Sequence, residues 1–341
     1  MNEQKMFCFQ CQETAKGTGC TVRGVCGKLP ETSGYMNMLL SVVKSVAMLV
    51  EEKRTKVCES NKQTCPCLEE AGHFVTDALF STITNANFDD ESIKQRIQQG
   101  LKLLEKLRGY DNEDVRSLKE LTMFGLKGMA AYYEHAARLG KTDDCIIAFM
   151  CHALSVISSP NVSVEELLNL VLETGKTGID VMALLDKANT EAYGNPEMTK
   201  VNIGVGKNPG ILISGHDLHD IEELLRQTEG LGIDIYTHSE MLPAHYYPKL
   251  KKYKHLVGNY GNAWWRQKEE FESFHGPIIF TTNCIVPPLS NASYKDRVFT
   301  LNSTDFPGWK HIPTGEDGHK DFSEVIAMAK TCEPPTAIEQ G

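Results

Sequence analysis

Cys8, Cys11, Cys20 and Cys26 fall in the run FCFQCQETAKGTGCTVRGVCGK, a C-x2-C-x8-C-x5-C pattern crowded with glycine and threonine. Four thiolates this close can surround one metal centre, and the glycines let the backbone turn tightly around it. Zinc also accepts four thiolates, but zinc sites usually pair two C-x2-C knuckles, and only the first pair here has that spacing. The uneven loops suit an iron–sulfur cluster, whose corners are spread wider than the ligands of a single ion. A disulfide framework is the rival reading. The 341-residue length allows large cores without staples, and eleven cysteines is an odd count.

A second set of chemically capable residues follows three apolar runs. His216 comes just after ILISG, Glu240 just after IDIYTHS, and Cys284 just after PIIFTTN. Sites in open parallel sheets form beyond the carboxyl ends of strands, so these side chains should converge. Imidazole and carboxylate favour harder metals and thiolate a softer one, so the mixture suits an iron centre bridged by both oxygen and sulfur. The plain alternative is that His216-Asp217 merely opens a helix, and His219, His238 and His245 compete with His216 by position. The glycines of GVGKNPG (204–210) precede a strand, so they read as a tight interdomain turn and not a phosphate loop. Cys58, Cys65 and Cys67 read as an exposed loop of thiols, with a third metal site as the alternative. Cys145 and Cys151 read as small core residues of an apolar helix. The adjacent Trp264 and Trp265 suit core packing, or rings that exclude water near a metal.

The scaffolds these residues need are of two kinds. From Pro30 to Ala192, apolar residues recur at helical spacing in MNMLLSVVKSVAMLVEEK, ESIKQRIQQGLKLLEKLRG, VRSLKELTMFGLKGMAAYYEHAARLG, CIIAFMCHALSVIS and SVEELLNLVLETGKTGIDVMALLDKANTEA. Asp111 to Glu113, Asp143 with Asp144, and Ser163 with Glu165 and Glu166 supply caps, and glycines 109, 140 and 175 suit helix ends or breaks. Short β-branched runs then alternate with helices: ILIS (211–214), IDIYT (233–237), PIIFTT (277–282) and RVFTLN (297–302). That alternation means a parallel sheet with helices on its faces. The expected architecture is multidomain α plus α/β: a cluster-binding segment and all-helical bundle over 1–198, then a Rossmann-like α/β domain over 199–341. The tail GEDGHKDFSEVIAMAKTCEPPTAIEQG reads as one helix followed by a linker at a domain boundary, and the residues before Met6 as an optional extension.

The N-terminus lacks an apolar stretch of the kind a secretory signal needs, and the longest apolar run, MNMLLSVVKSVAMLV, is interrupted by Lys44 and reads as too short for a membrane span. With 35 basic and 45 acidic residues the net charge is -10, which disfavours nucleic acid and anionic membrane as partners. A reducing, cytoplasmic setting is expected.

Together these motifs resemble the hybrid-cluster protein family, also called prismane protein or hydroxylamine reductase. The resemblance runs through MFCFQCQETAKGTGCTVRGVCGK, LFSTITNANFDD, NEDVRSLKEL, YGNPE, VNIGVGKNPGILISGHDL, YTHSEMLPAHYYP, VGNYGNAWW and GPIIFTTNC. It implies a [4Fe-4S] cluster on Cys8, Cys11, Cys20 and Cys26. It also implies a hybrid iron–sulfur–oxygen cluster whose ligands include His216, Glu240 and Cys284, with Thr84, Trp264 and Trp265 buried between the two centres. Family members continue into a third domain that supplies further cysteines and a second glutamate. Those positions do not occur here, and Cys332 matches none of them. The missing domain is therefore expected in trans, as a separate polypeptide, or to have been lost by truncation. The implied reaction is reduction of hydroxylamine to ammonia and water by two electrons and two protons, with nitric oxide as a second substrate and a separate reductase as electron donor. The alternatives are a [4Fe-4S] electron-transfer module and a relative of carbon monoxide dehydrogenase.

Overall fold

A computed structural model describes residues 6–11, 13–59, 66–83, 86–108, 112–159 and 161–339, with side chains at 54–59, 66–68 and 108 outside the description. The chain divides into two compact units, Met1–Glu113 and Asp114–Gly341. The expected boundary at residue 198 marks the change from helices to sheet, and it falls inside the second unit.

The first unit contains α1 (Pro30–Glu59), α2 (Pro66–Thr82) and α3 (Asp90–Arg108). Met36, Leu39, Val43 and Val46 of α1 recur at three- and four-residue steps and meet Phe74 of α2 and Ile93, Leu104 and Leu107 of α3 in one buried core. Gly100 makes that approach close, since a Cβ there would lie 2.5 Å from Val42 Cγ1 and 2.6 Å from Phe74 Cζ. Pro30–Lys53 is, contrary to the sequence-based expectation, long and apolar enough to cross a membrane by length and composition. Met36, Leu39, Val43 and Val46 on it are buried against α2 and α3, while Met38 and Met48 are exposed.

The second unit opens with α4 (Glu113–Arg138), α5 (Asp144–Ser158) and α6 (Val164–Tyr193). The expected caps form at Asp143, which accepts from Cys145 N–H at 2.8 Å, and at Ser163, which makes a full capping box with Glu166. Asp111 and Gly109 lie outside the described residues. Gly140 ends a helix at φ 74°, whereas Gly175 sits inside continuous α6. Cys145 and Cys151 are exposed, not core residues. The inward stripe of α5 is Ile146, Phe149, Met150, Ala153, Val156 and Ile157, and both cysteines fall off it.

The remainder is a doubly wound sheet: β1 (Gly210–Ser214), α7 (Leu218–Thr228), β2 (Asp234–His238), α8 (Pro248–Lys251), β3 (Leu256–Asn259), α9 (Gln267–Glu270), β4 (Ile278–Phe280), β5 (Val298–Leu301), β6 (Lys310–Ile312) and α10 (Ser323–Ala329). Its six strands run in the order β3-β2-β1-β4-β5-β6, all parallel. Ile211 and Ile213 feed a core against α7 and α10, while Leu212 feeds one with Phe271, Phe274 and Phe280 on the other face. Burial on both faces is why these strands read as unbroken apolar runs. After α10 the chain is not a free linker. Tyr260 donates to Thr336 O at 2.9 Å, Thr336 N–H donates to Ser273 O, and His275 meets the Thr336 hydroxyl.

His245 braces this sheet from the turn after β2, its Nε2 lying 2.9 Å from Thr237 Oγ1. Burial pushes its pKa down to about 4, and a hydrogen bond with the Gly258 backbone only partly opposes this. An unfolded histidine titrates near ~6.5, so between that pH and about 4 the unfolded chain takes up a proton that the folded chain refuses. Stability should therefore fall as pH drops through this window, by roughly 3 kcal/mol at most, and no further below it on this account. Denaturant unfolding at stepped pH checks this; a His245→Gln variant that keeps the same slope between pH 6.5 and 4 would contradict it.

Candidate functional site

The N-terminal cysteines are brought together by local chain geometry. Cys8 and Cys20 exchange backbone hydrogen bonds of 2.9 Å in each direction, forming a minimal antiparallel pairing. Gly24 N–H donates to Lys28 O at 2.9 Å and Gly27 N–H to Gly24 O at 2.8 Å, which folds the segment carrying Cys26 back. Gln10 donates to Asn37 Oδ1 and Asn37 to Phe7 O, tying the loop to α1. One pocket is lined by all four cysteines together with Thr14, Lys28 and Thr82.

The chemistry of this pocket favours a cluster over a single ion. Ala15 N–H points at Cys20 Sγ from 3.4 Å, and the Thr14 hydroxyl is 3.6 Å away. Hydrogen bonds from the Ala15 and Val25 backbone and from Thr14 hold the Cys20 thiol below its ordinary pKa. Donors aimed at sulfur are the protein's means of stabilising thiolate charge around an iron–sulfur group. Sulfurs around one tetrahedral zinc would sit about 3.8 Å apart, given Zn–S of about 2.3 Å. Among the described residues no three cysteine sulfurs lie within 4.8 Å of one another. The shared pocket and the donors aimed at Cys20 fit an iron–sulfur group.

The second set lies in the other unit, at the carboxyl edge of the sheet. Ser214 is paired with His238 on one side and Phe280 on the other, so the three loops start level with one another. His216 and Glu240 each sit two residues beyond that line and Cys284 four beyond it. The strand order reverses between β1 and β4, which puts His216 and Cys284 on opposite sides of the switch point, where such folds open a crevice. Burial lowers the His216 pKa and Glu240 opposes it; burial raises the Cys284 thiol and Glu240 adds to it. One carboxylate thus acts on both residues. His216 Nδ1 is 2.9 Å from Thr282 Oγ1, which leaves Nε2 free of that contact. Gly215 at φ 117° permits this approach, because a Cβ would sit 2.7 Å from Thr282 Oγ1. The three donors fit one side of a mixed-ligand centre.

Behind His216 stands a buried carboxylate. Asp217 caps α7 by accepting from His219 and Asp220 N–H, and its other oxygen accepts from Arg138 and lies 3.1 Å from His135 Nδ1. Burial alone would raise its pKa, but His135 and Arg138 hold it well below the usual carboxylate range. Farther along α7, burial and the charge of Asp217 push Asp220 up to about 7, although Lys320 Nζ lies 2.8 Å away. His219, Asp220 and Glu223 form a three-residue cluster, but Lys320 and His319 are its partners. His238 and His245 turn inward, to Glu270 and Thr237, so neither competes with His216.

One expectation changes here. Trp264 and Trp265 pack edge to face at 5.5 Å but are 41% and 64% exposed, not buried. They stand on a short turn ahead of α9 and take no part in the core formed by Phe271, Phe274 and Phe280. Thr84 and Cys65 lie outside the described residues, as do the side chains of Cys58 and Cys67. Asp217 was not foreseen as a brace, although an aspartate directly before an amphipathic run is a capping signal.

Residues 6–341 match the Prismane/CO dehydrogenase family. A hydroxylamine reductase of Porphyromonas gingivalis is 55% identical over 374 residues, covering 99% of this chain and 67% of the relative. Those of Bacteroides fragilis and Clostridium botulinum are 54% and 50% identical, covering 98% of this chain and 66% and 68% of theirs. The chain thus spans about two thirds of the length of these relatives. Among solved structures, carbon monoxide dehydrogenase IV from Carboxydothermus hydrogenoformans aligns over 96% of this chain and 53% of its own length, with 15% identity and a TM-score of 0.40, too loose a likeness to bear on function.

Proposed function

Since this chain belongs to the Prismane/CO dehydrogenase family, we propose that it carries the electron-relay centre and one side of the substrate centre of an oxidoreductase that reduces hydroxylamine. The reaction is NH2OH + 2e− + 2H+ → NH3 + H2O, with nitric oxide as a second candidate substrate. The observation that supports this best is the level start of the three loops after Ser214, His238 and Phe280, which bear imidazole, carboxylate and thiol at one edge of the sheet. Cys8, Cys11, Cys20 and Cys26 would hold a [4Fe-4S] cluster, and His216, Glu240 and Cys284 part of a hybrid iron–sulfur–oxygen cluster. When bound, that second group would supply a Lewis-acidic position for the substrate's nitrogen or oxygen, and electrons to it.

The chain's own residues then have distinct tasks. Thr282 fixes the ring of His216 through Nδ1, leaving Nε2 as the donor atom. Glu240, exposed and near enough to act on both His216 and Cys284, can bind iron or take a proton. Further ligands, Thr84 and the tryptophan pair as residues between the centres, a separate reductase and a reducing cytoplasmic setting all belong to this proposal.

Its test is hydroxylamine turnover with reduced viologen as electron donor. Anaerobically purified chain should contain about four irons and four sulfides from the first pocket. Turnover should be slight for the chain alone and rise at least tenfold when the C-terminal third of a relative is added as a separate polypeptide. Stoichiometric zinc without sulfide would sink the cluster assignment. An intact second centre that still turns over no hydroxylamine would favour a purely electron-transferring role.

A further inference from the structure

Cys284 is held in a backbone conformation that a cysteine does not adopt unaided. Its φ is +76°, in the left-handed region where a Cβ crowds the following carbonyl. The loop around it is poor in its own hydrogen-bonding partners, because Pro287 and Pro288 follow and neither has an N–H. Gln267 stands against this loop. It is the first residue of α9, only 1% exposed, and it spends both ends of its amide there. Its Nε2 donates to Cys284 O at 2.6 Å, and its Oε1 accepts from Val286 N–H at 3.0 Å. The side-chain amide thus pairs with the loop as a neighbouring strand would, gripping the residue itself and the second one after it.

We propose that Gln267 is the positioning residue of Cys284, fixing the thiol at the mouth of the switch-point crevice before any metal centre is bound. This rests on the reading of Cys284 as a ligand. Buried amides in native proteins have both ends paired, and both ends of the Gln267 amide are paired on this one loop. Holding a ligand pre-set means the loop need not be ordered when the centre assembles.

The experiment uses the whole chain freed of metal, so no loaded enzyme is needed. Hydrogen exchange on the unaltered protein should show Val286 N–H at least tenfold more protected than Ile285 N–H. Iodoacetamide labelling, followed peptide by peptide, should proceed at least threefold faster at Cys284 in Gln267→Met, with labelling at Cys332 unchanged. Gln267→Glu keeps the acceptor for Val286 N–H and should fall between the two. Equal protection of the two amides, or unchanged Cys284 labelling in a folded Gln267→Met, overturns the inference. The ligand reading is tested separately, by the iron content of reconstituted Cys284→Ser with the added C-terminal polypeptide. If that iron falls while the clamp readouts fail, only the inference is lost. If it does not fall, the ligand reading is lost and the ligand-positioning role with it, and positive clamp readouts then show only that Gln267 holds the loop.

Discussion

Cys20→Ser is expected to remove essentially all the iron held by the N-terminal pocket. Cys20 is 4% exposed, and it forms the backbone pairing with Cys8 that closes the segment. Its sulfur is the one that receives the Ala15 N–H and faces the Thr14 hydroxyl. A serine hydroxyl is shorter and harder, and its oxygen would reach neither those donors nor an iron corner as the thiolate does. Losing one of four ligands leaves an iron open to water and oxygen, and the remaining cluster should dissociate. Visible absorption and iron and sulfide assays after anaerobic reconstitution check this. Cys145→Ser, at an exposed position on α5, serves as the control and should leave iron unchanged. A Cys20→Ser protein that retains about four irons and four sulfides would show that the pocket is not closed by this ligand.

Asp217→Ala should be the most destabilising single change in the second unit. One buried carboxylate there caps α7, accepts from Arg138 and engages His135. Its removal leaves the Arg138 guanidinium without its buried partner and α7 without its cap. Breaking a buried pair from one side costs about 3–5 kcal/mol, and loss of a cap about 1 kcal/mol. The melting temperature should fall on the order of 10 °C. Asp217→Asn keeps a capping oxygen and should cost about half as much. If the two effects come from one interaction, Arg138→Ala and Asp217→Ala will be non-additive by at least ~1 kcal/mol in a double-mutant cycle. Additive losses would mean that Asp217 acts only as a cap. The same variant loosens the turn that carries His216, so the second centre should also bind less iron.

Some of this was legible in the sequence for a physical reason. The cysteine pattern closes within about twenty residues, so its spacing and glycines are enough to bring the sulfurs around one pocket. The strands ILIS and IDIYT are buried on both faces and therefore read as apolar runs, which fixed where their loops begin. The caps at Asp143 and Ser163 bond within three residues of themselves, so nothing distant could alter them. α2 carries Ala71, Phe74, Val75 and Ala78 at helical spacing, but two alanines make the stripe faint.

What depended on tertiary structure was order, direction and partnership. β3 and β6 are strands because β2 and β5 pair with them; LVGN and KHI have too little period of their own. The reversal between β1 and β4 is a property of the whole sheet, and it alone puts His216 and Cys284 on opposite sides of the switch point. Which face of α5 turns inward left Cys145 and Cys151 outside, and the limit of the core left Trp264 and Trp265 exposed. Asp217 with Arg138 and Gln267 with Cys284 are pairs 79 and 17 residues apart. Local spacing sets which residues can share a turn or a face. A buried polar group must find its partner wherever the folded chain brings one, and that choice is made by packing.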